Sequence, residues 1–207
     1  MGLWDQFQRP TGHRGKIIAT MMNRGHKELT TWGLTHITIQ PNYVVLDVGC
    51  GGGKTVNRLT QMATKGKVYG IDHSADMVEY AKKLNKKFVK ENKVEIHEAS
   101  VDKTKFPNST FDLVAAVETY YFWPNLPGAF KEINRILKPK GRLLMVNEMV
   151  KDGFYDVENA SLIEKVNVKL FSLDKIRSLL EAAGFSVEVH RKENSPWNAL
   201  VAEKTSI

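Results

Sequence analysis

Tyr43-Val44-Val45-Leu46-Asp47-Val48-Gly49-Cys50-Gly51-Gly52-Gly53-Lys54-Thr55 decides the fold of this 207-residue chain. The β-branched apolar run reads as a buried strand, the glycines as a tight turn, and the amphipathic continuation as a helix N-terminus. Outward from it, Lys67-Val68-Tyr69-Gly70-Ile71-Asp72 reads as the next strand, its acid falling 19 residues after Gly53. A carboxylate there is placed to take both hydroxyls of an adenosine ribose. Turn and acid together imply a nucleoside-containing ligand.

The spacing of the turn narrows that ligand. Dinucleotide sites favour G-x-G-x-x-G, where a pyrophosphate meets the helix N-terminus. Here the glycines stand at Gly49, Gly51 and Gly53, with Asp47 just before the turn. An acid at that place repels pyrophosphate but can hold an ammonium, directly or through water. A ligand with an amino-acid end and a ribose end has the shape of S-adenosylmethionine.

These residues resemble motif I, D-x-G-x-G-x-G, of the class I S-adenosylmethionine-dependent methyltransferases, with Asp47, Gly49, Gly51 and Gly53 on the pattern. Phe106-Pro107-Asn108-Ser109-Thr110-Phe111-Asp112-Leu113-Val114 is similar to the family's entry into strand four. The run from Phe130 to Leu143 is similar to its helix, turn and strand five. The small-molecule branch of ubiquinone and menaquinone biosynthesis is the branch most resembled. The resemblance implies S-adenosylmethionine as cofactor, S-adenosylhomocysteine as product, and methyl transfer to a small-molecule acceptor.

Composition agrees with one ordinary globular domain: 42% of residues are apolar and 26% charged. No apolar run approaches the roughly 20 residues of a membrane span, so no membrane partner is expected. Arg9, Pro10, Arg14 and Lys16 interrupt any signal-peptide core, and Gln6 stands where myristoylation needs Ser or Thr. The single cysteine leaves no internal disulfide, which points to the cytoplasm. The net charge of +7 gathers partly at Lys82, Lys83, Lys86, Lys87, Lys90 and Lys93, among Glu79, Glu91 and Glu95. Lysine mixed with acid reads as a solvated helix face; a nucleic-acid surface would interleave arginine and aromatics.

Periodicity places helices at 13–22 and 26–36, then strand 43–48, helix 53–64, strand 67–72, helix 75–90 and strand 93–98. Strand 111–117, helix 126–138, strand 141–147, a partly helical stretch 150–168, helix 173–183 and strands 185–190 and 197–203 follow. This is a doubly wound α/β sheet of seven strands, mostly parallel. The last two strands have no helix between them and must run antiparallel. One reversed strand near the sheet edge is the hallmark of the resembled family. Residues 43–207 form the core, and residues 1–42, with Trp4, Phe7, Arg14, Arg24 and His26, are expected to form a helical lid.

Ligands of such sheets lie beyond the carboxyl ends of the strands, and the candidate residues are there. Asp47, Gly49, Cys50, Gly51, Gly53, Asp72 and His73 form the expected cofactor wall, with His73 against adenine or at the surface. Cys50 reads as a small filler. After strand three, Ser100 stands where the family often has Asp for the adenine amino group, and the Val101 N–H can serve a ring nitrogen. After strand four, Glu118-Thr119-Tyr120-Tyr121-Phe122-Trp123-Pro124 reads as a loop, with Tyr120 or Tyr121 lining the cleft beside the sulfur. Glu118 can orient or deprotonate an acceptor, or hold the methionine amine through its carbonyl, and Glu148 is a second candidate carboxylate. No metal is expected. The rivals are a nicotinamide oxidoreductase, an RNA or protein methyltransferase, and a protein that binds the cofactor without turning it over.

Overall fold

A computed structural model of the chain describes residues 26–153, 155–166 and 168–205. The helix expected at 13–22 and most of the expected lid fall outside the described residues.

The elements run α1 (Lys27–Leu34), β1 (Val44–Val48), α2 (Lys54–Met62), β2 (Lys67–Asp72), α3 (Ala75–Leu84), α4 (Lys86–Lys90), β3 (Val94–Glu98) and β4 (Phe111–Val117). A 3₁₀ turn (Tyr120–Phe122), α5 (Leu126–Ile136), β5 (Leu137–Asn147), α6 (Tyr155–Glu158), α7 (Ala160–Val166), α8 (Leu173–Ala182), β6 (Phe185–Arg191) and β7 (Asn198–Lys204) follow. The seven strands lie in the order β3-β2-β1-β4-β5-β7-β6. β7 alone is reversed, antiparallel to both β5 and β6. It sits one place in from the edge, as the missing crossover helix requires. No helix among the described residues is long and apolar enough to cross a membrane.

The central strands β1 and β4 are mainly apolar on both faces because both faces are covered. Along β1, Val45 enters one core cluster with Val56 and Leu59 of α2, while Leu46 and Val48 enter the other with Phe130 and Ile133 of α5. Asp47 is therefore on the α2 face, by strand alternation. Fully buried leucines such as Leu46 each contribute about 1.5–3 kcal/mol. Strand order reverses between β1 and β4, and the cleft opens at the carboxyl ends of these two strands.

Two elements differ from expectation for local reasons. The helix expected over 75–90 breaks at Asn85, whose amide donates to the Gly53 carbonyl at 3.0 Å and accepts from Asn57 at 3.0 Å. The break thus clamps the glycine turn. β5 begins at Leu137, directly after α5, and its register against β4 shifts between Phe111 and Leu113. Asp112 at the shift accepts the Val44 N–H at 2.7 Å and the Lys138 ammonium at 2.8 Å, tying β1, β4 and β5 at the end away from the cleft.

Candidate active site

All three glycines of the turn have positive φ: 67° at Gly49, 47° at Gly51 and 78° at Gly53. That left-handed backbone favours glycine, and the side-chain space beside each differs. A methyl at Gly49 would lie 2.1 Å from Thr119 Oγ1, and one at Gly53 would meet Ala81. Nothing lies within 4 Å of a methyl at Gly51, which faces the open cleft. The cleft encloses about 1130 Å³, room for a nucleoside cofactor and a small second molecule together.

Asp72 ends β2 at the wall of this cleft. Its carboxylate accepts the Gly51 N–H and the Ser74 N–H, each at 2.9 Å. The acid is thereby oriented, and each oxygen retains a lone pair for a ribose hydroxyl. Asp47 lies beneath the turn, 2% exposed, and its Oδ2 has no hydrogen-bond partner among the described residues. Burial, then the nearby Asp72, pushes its pKa well above the usual carboxylate range, while the Val56 N–H of α2 pulls it down. A buried, partnerless carboxylate oxygen under the helix N-terminus fits an ammonium ligand or a bridging water. Gly49, Gly51 and Asp72 are on the cleft wall and suit the nucleoside of S-adenosylmethionine, whereas Asp47 and Gly53, expected on that wall, do not line it.

Other expected cofactor residues fall around the same space. His73 lines the cleft with its side chain about half exposed, its Nδ1 3.6 Å from Asp72. Ser100 and Val101 line it too, and the Ser100 hydroxyl donates to Asp102 at 2.5 Å. Cys50 is buried against Gly70 and lines the cleft, and burial, with Asp47 and Asp72 adding to it, pushes its thiol pKa well up, which disfavours the thiolate form.

The aromatic run after β4 is placed differently from expectation. Tyr120 and Tyr121 are 1% and 5% exposed, packed in the core, and neither is on the cleft wall. The 3₁₀ turn directs their hydroxyls inward, Tyr120 to the Met149 carbonyl at 3.0 Å and Tyr121 to Glu118 Oε2 at 2.8 Å. Phe122, Trp123 and Pro124 line the cleft in their stead. Thr119, unmarked in the sequence reading, both closes on Gly49 and accepts the Trp123 indole N–H at 3.3 Å. The 3₁₀ turn buries the first two rings and brings the next two to the cleft, a division that periodicity does not report.

Glu118 stands at the far side of the cleft from Asp72. Its φ is +55°, a conformation that costs a side-chain-bearing residue about 1–2 kcal/mol. The carboxylate is held by Tyr121 Oη–H and, at 2.5 Å, by the Glu148 N–H. Burial raises its pKa to about 7, against the pull of these two donors. Glu148 itself is half-buried beside it. His26, at the start of α1, brings Nε2 to 3.9 Å from Glu118 Oε2. Gly33 permits that approach, since any side chain there would strike Val146 of β5. Burial lowers the His26 pKa, with Glu148 opposing. The other wall, on α1 and α2, offers Lys27, Lys54 and Arg58.

Comparison with known proteins agrees with this geometry. A family model described as a methyltransferase domain matches residues 46–145. An O-methyltransferase of Pyrenophora dematioidea is 29% identical, over 90% of this chain and 67% of its own length. The sterol 24-C-methyltransferase of Saccharomyces cerevisiae is 31% identical over 77% of this chain and 44% of its own length. The chain thus spans about two thirds of the first relative and less than half of the second. Among solved structures, a methyltransferase in complex with the Trm112 activator from Haloferax volcanii superposes with a TM-score of 0.82 at 17% identity, covering 98% of each chain. A SAM-dependent methyltransferase from Aquifex aeolicus gives 0.71 at 23% identity, over 89% of this chain and 96% of its own. Motif, cradle and matched methyltransferase domain coincide on β1 to β5, where the chain is similar to the S-adenosylmethionine-dependent methyltransferases.

Proposed function

We propose that this chain transfers a methyl group to a small-molecule acceptor seated between Glu118, Phe122 and Trp123. S-adenosylmethionine supplies the methyl on a cationic sulfur. Gly51 and Asp72 would orient the nucleoside end, and Asp47, directly or through water, the ammonium. The observation that carries the reading is the second wall: beyond the cofactor cradle, the same 1130 Å³ cleft continues to a buried carboxylate and two aromatic rings. Aromatic faces stabilise the cationic methyl as it moves, and alignment of the acceptor supplies most of the rate.

Glu118, with a pKa raised to about 7, is suited to exchange a proton with an acceptor near neutrality. Tyr121 acts through it as a positioning residue. His26, Lys27 and Thr30 line the cleft, which supports reading residues 1–42 as a lid. The depth of the cleft favours a metabolite over a folded RNA or protein, and a single buried cysteine supports a cytoplasmic site of action. The quinone-biosynthesis branch remains a candidate source of acceptors.

Incubation of the protein with methyl-labelled S-adenosylmethionine and a cell extract tests the acceptor class. Label is expected in a product of the ultrafiltrate that separates chromatographically from S-adenosylmethionine and does not form without the protein. Label confined to the protein or RNA fraction would overturn it.

A further inference from the structure

Glu118, Glu148 and His26 converge at the acceptor end of the cleft, each from a different element. One donor atom from each, a carboxylate oxygen from each glutamate and a ring nitrogen from the histidine, lies within 4.8 Å of the others. Among the described residues, neither glutamate is ion-paired to a lysine or arginine. Two carboxylates are thus gathered with no lysine or arginine to offset them, a cost that a bound cation relieves.

The spacing says what kind of cation. At 3.9 Å, His26 Nε2 and Glu118 Oε2 are too far apart for a hydrogen bond. Two donors each roughly 2.0–2.2 Å from a tetrahedral ion stand about 3.3–3.6 Å apart, so the observed 3.9 Å gap closes with a shift of a few tenths of an ångström. The donor set as a whole spans no more than 4.8 Å, so rotation of the half-buried Glu148 closes the rest. The neighbours are those of a ligand sphere. Tyr121 Oη–H fixes one oxygen of Glu118 and the Glu148 N–H fixes the other, leaving a lone pair on each for an ion.

We propose that His26, Glu118 and Glu148 form a binding site for a first-row divalent cation of the zinc or manganese class. One imidazole and two carboxylates suit these ions, and three protein ligands leave a coordination position open. His26 and Glu118 lie on the cleft wall, so the open position faces the space proposed for the acceptor. An ion there would take a water or an acceptor oxygen and hold it beside the methyl. The location of its function rests on the methyl-transfer reading; the binding site does not.

The test uses the full chain stripped with EDTA. Calorimetric titration with Zn²⁺ or Mn²⁺ is expected to show one ion per chain, and Co²⁺ to give visible absorption bands. His26→Ala and Glu148→Gln should each weaken binding by roughly tenfold or more, and Tyr121→Phe by a comparable factor through loss of orientation. Retained stabilisation by S-adenosylhomocysteine shows that each variant is folded. No stoichiometric binding in the wild type, or binding unchanged by both ligand substitutions, overturns the site. A wild type that binds S-adenosylhomocysteine but no metal defeats this inference alone; one that binds metal but no S-adenosylhomocysteine defeats the methyl-transfer reading alone.

Discussion

Gly49 and Gly51 divide between them what a glycine-rich turn must do. Both have left-handed backbone, so alanine at either costs about 1–2 kcal/mol in strain. Gly49→Ala adds a clash with Thr119, and its loss should appear mainly as a lower melting temperature. Gly51→Ala meets no protein atom but fills the cradle, so S-adenosylhomocysteine affinity should fall by more than stability does. Equal effects of the two substitutions on melting and on calorimetric affinity would refute that division. Asp72→Ala removes a charge-assisted acceptor from the cleft wall and should weaken the same ligand by about 1.5–3 kcal/mol. Unchanged affinity in a folded variant would remove Asp72 from the ribose site. These residues were legible because spacing alone marks them. Tyr120 and Tyr121 were misplaced, since four successive rings carry no signal of which face a 3₁₀ turn buries. The convergence of His26 with Glu118 and Glu148 was hidden for a different reason: residues distant in sequence meet only when α1 docks on β5 through Gly33.

At the scale of elements, the motifs beyond the glycine turn are mostly scaffolding. Glu132 on α5 accepts from Arg135 at 2.8 Å and from the Thr104 hydroxyl at 2.6 Å, and Arg135 reaches the Phe106 carbonyl at 2.8 Å. The helix thereby pins the loop between β3 and β4. Arg135 above all, with Thr104, holds the Glu132 carboxyl down at about 2 from its usual 4.5. A depressed acid contributes stability that is present above its unfolded pKa and lost as pH falls through the folded one. Urea midpoints of the wild type should therefore drop between about pH 4.5 and 2 more steeply than those of Glu132→Gln. Parallel profiles would show that the network contributes nothing. Element types and order were readable because the central strands are mainly apolar, the edge strand β6 alternates, and the core helices are amphipathic. The break at Asn85 was not, because its cause is a carbonyl at Gly53, far away in the chain.

For the whole molecule, the reversed β7 and the switch in strand order between β1 and β4 place one deep cleft at the carboxyl ends of the strands. The cofactor half of that cleft follows from local sequence; the acceptor half is assembled from α1, the 3₁₀ turn and the end of β5. The account stands on the cofactor, and calorimetry of the purified chain tests it most directly. S-adenosylhomocysteine should bind with one-to-one stoichiometry and raise the melting temperature with the logarithm of its concentration above Kd, while NAD at the same concentration should do neither. Binding of NAD with no response to S-adenosylhomocysteine would contradict it.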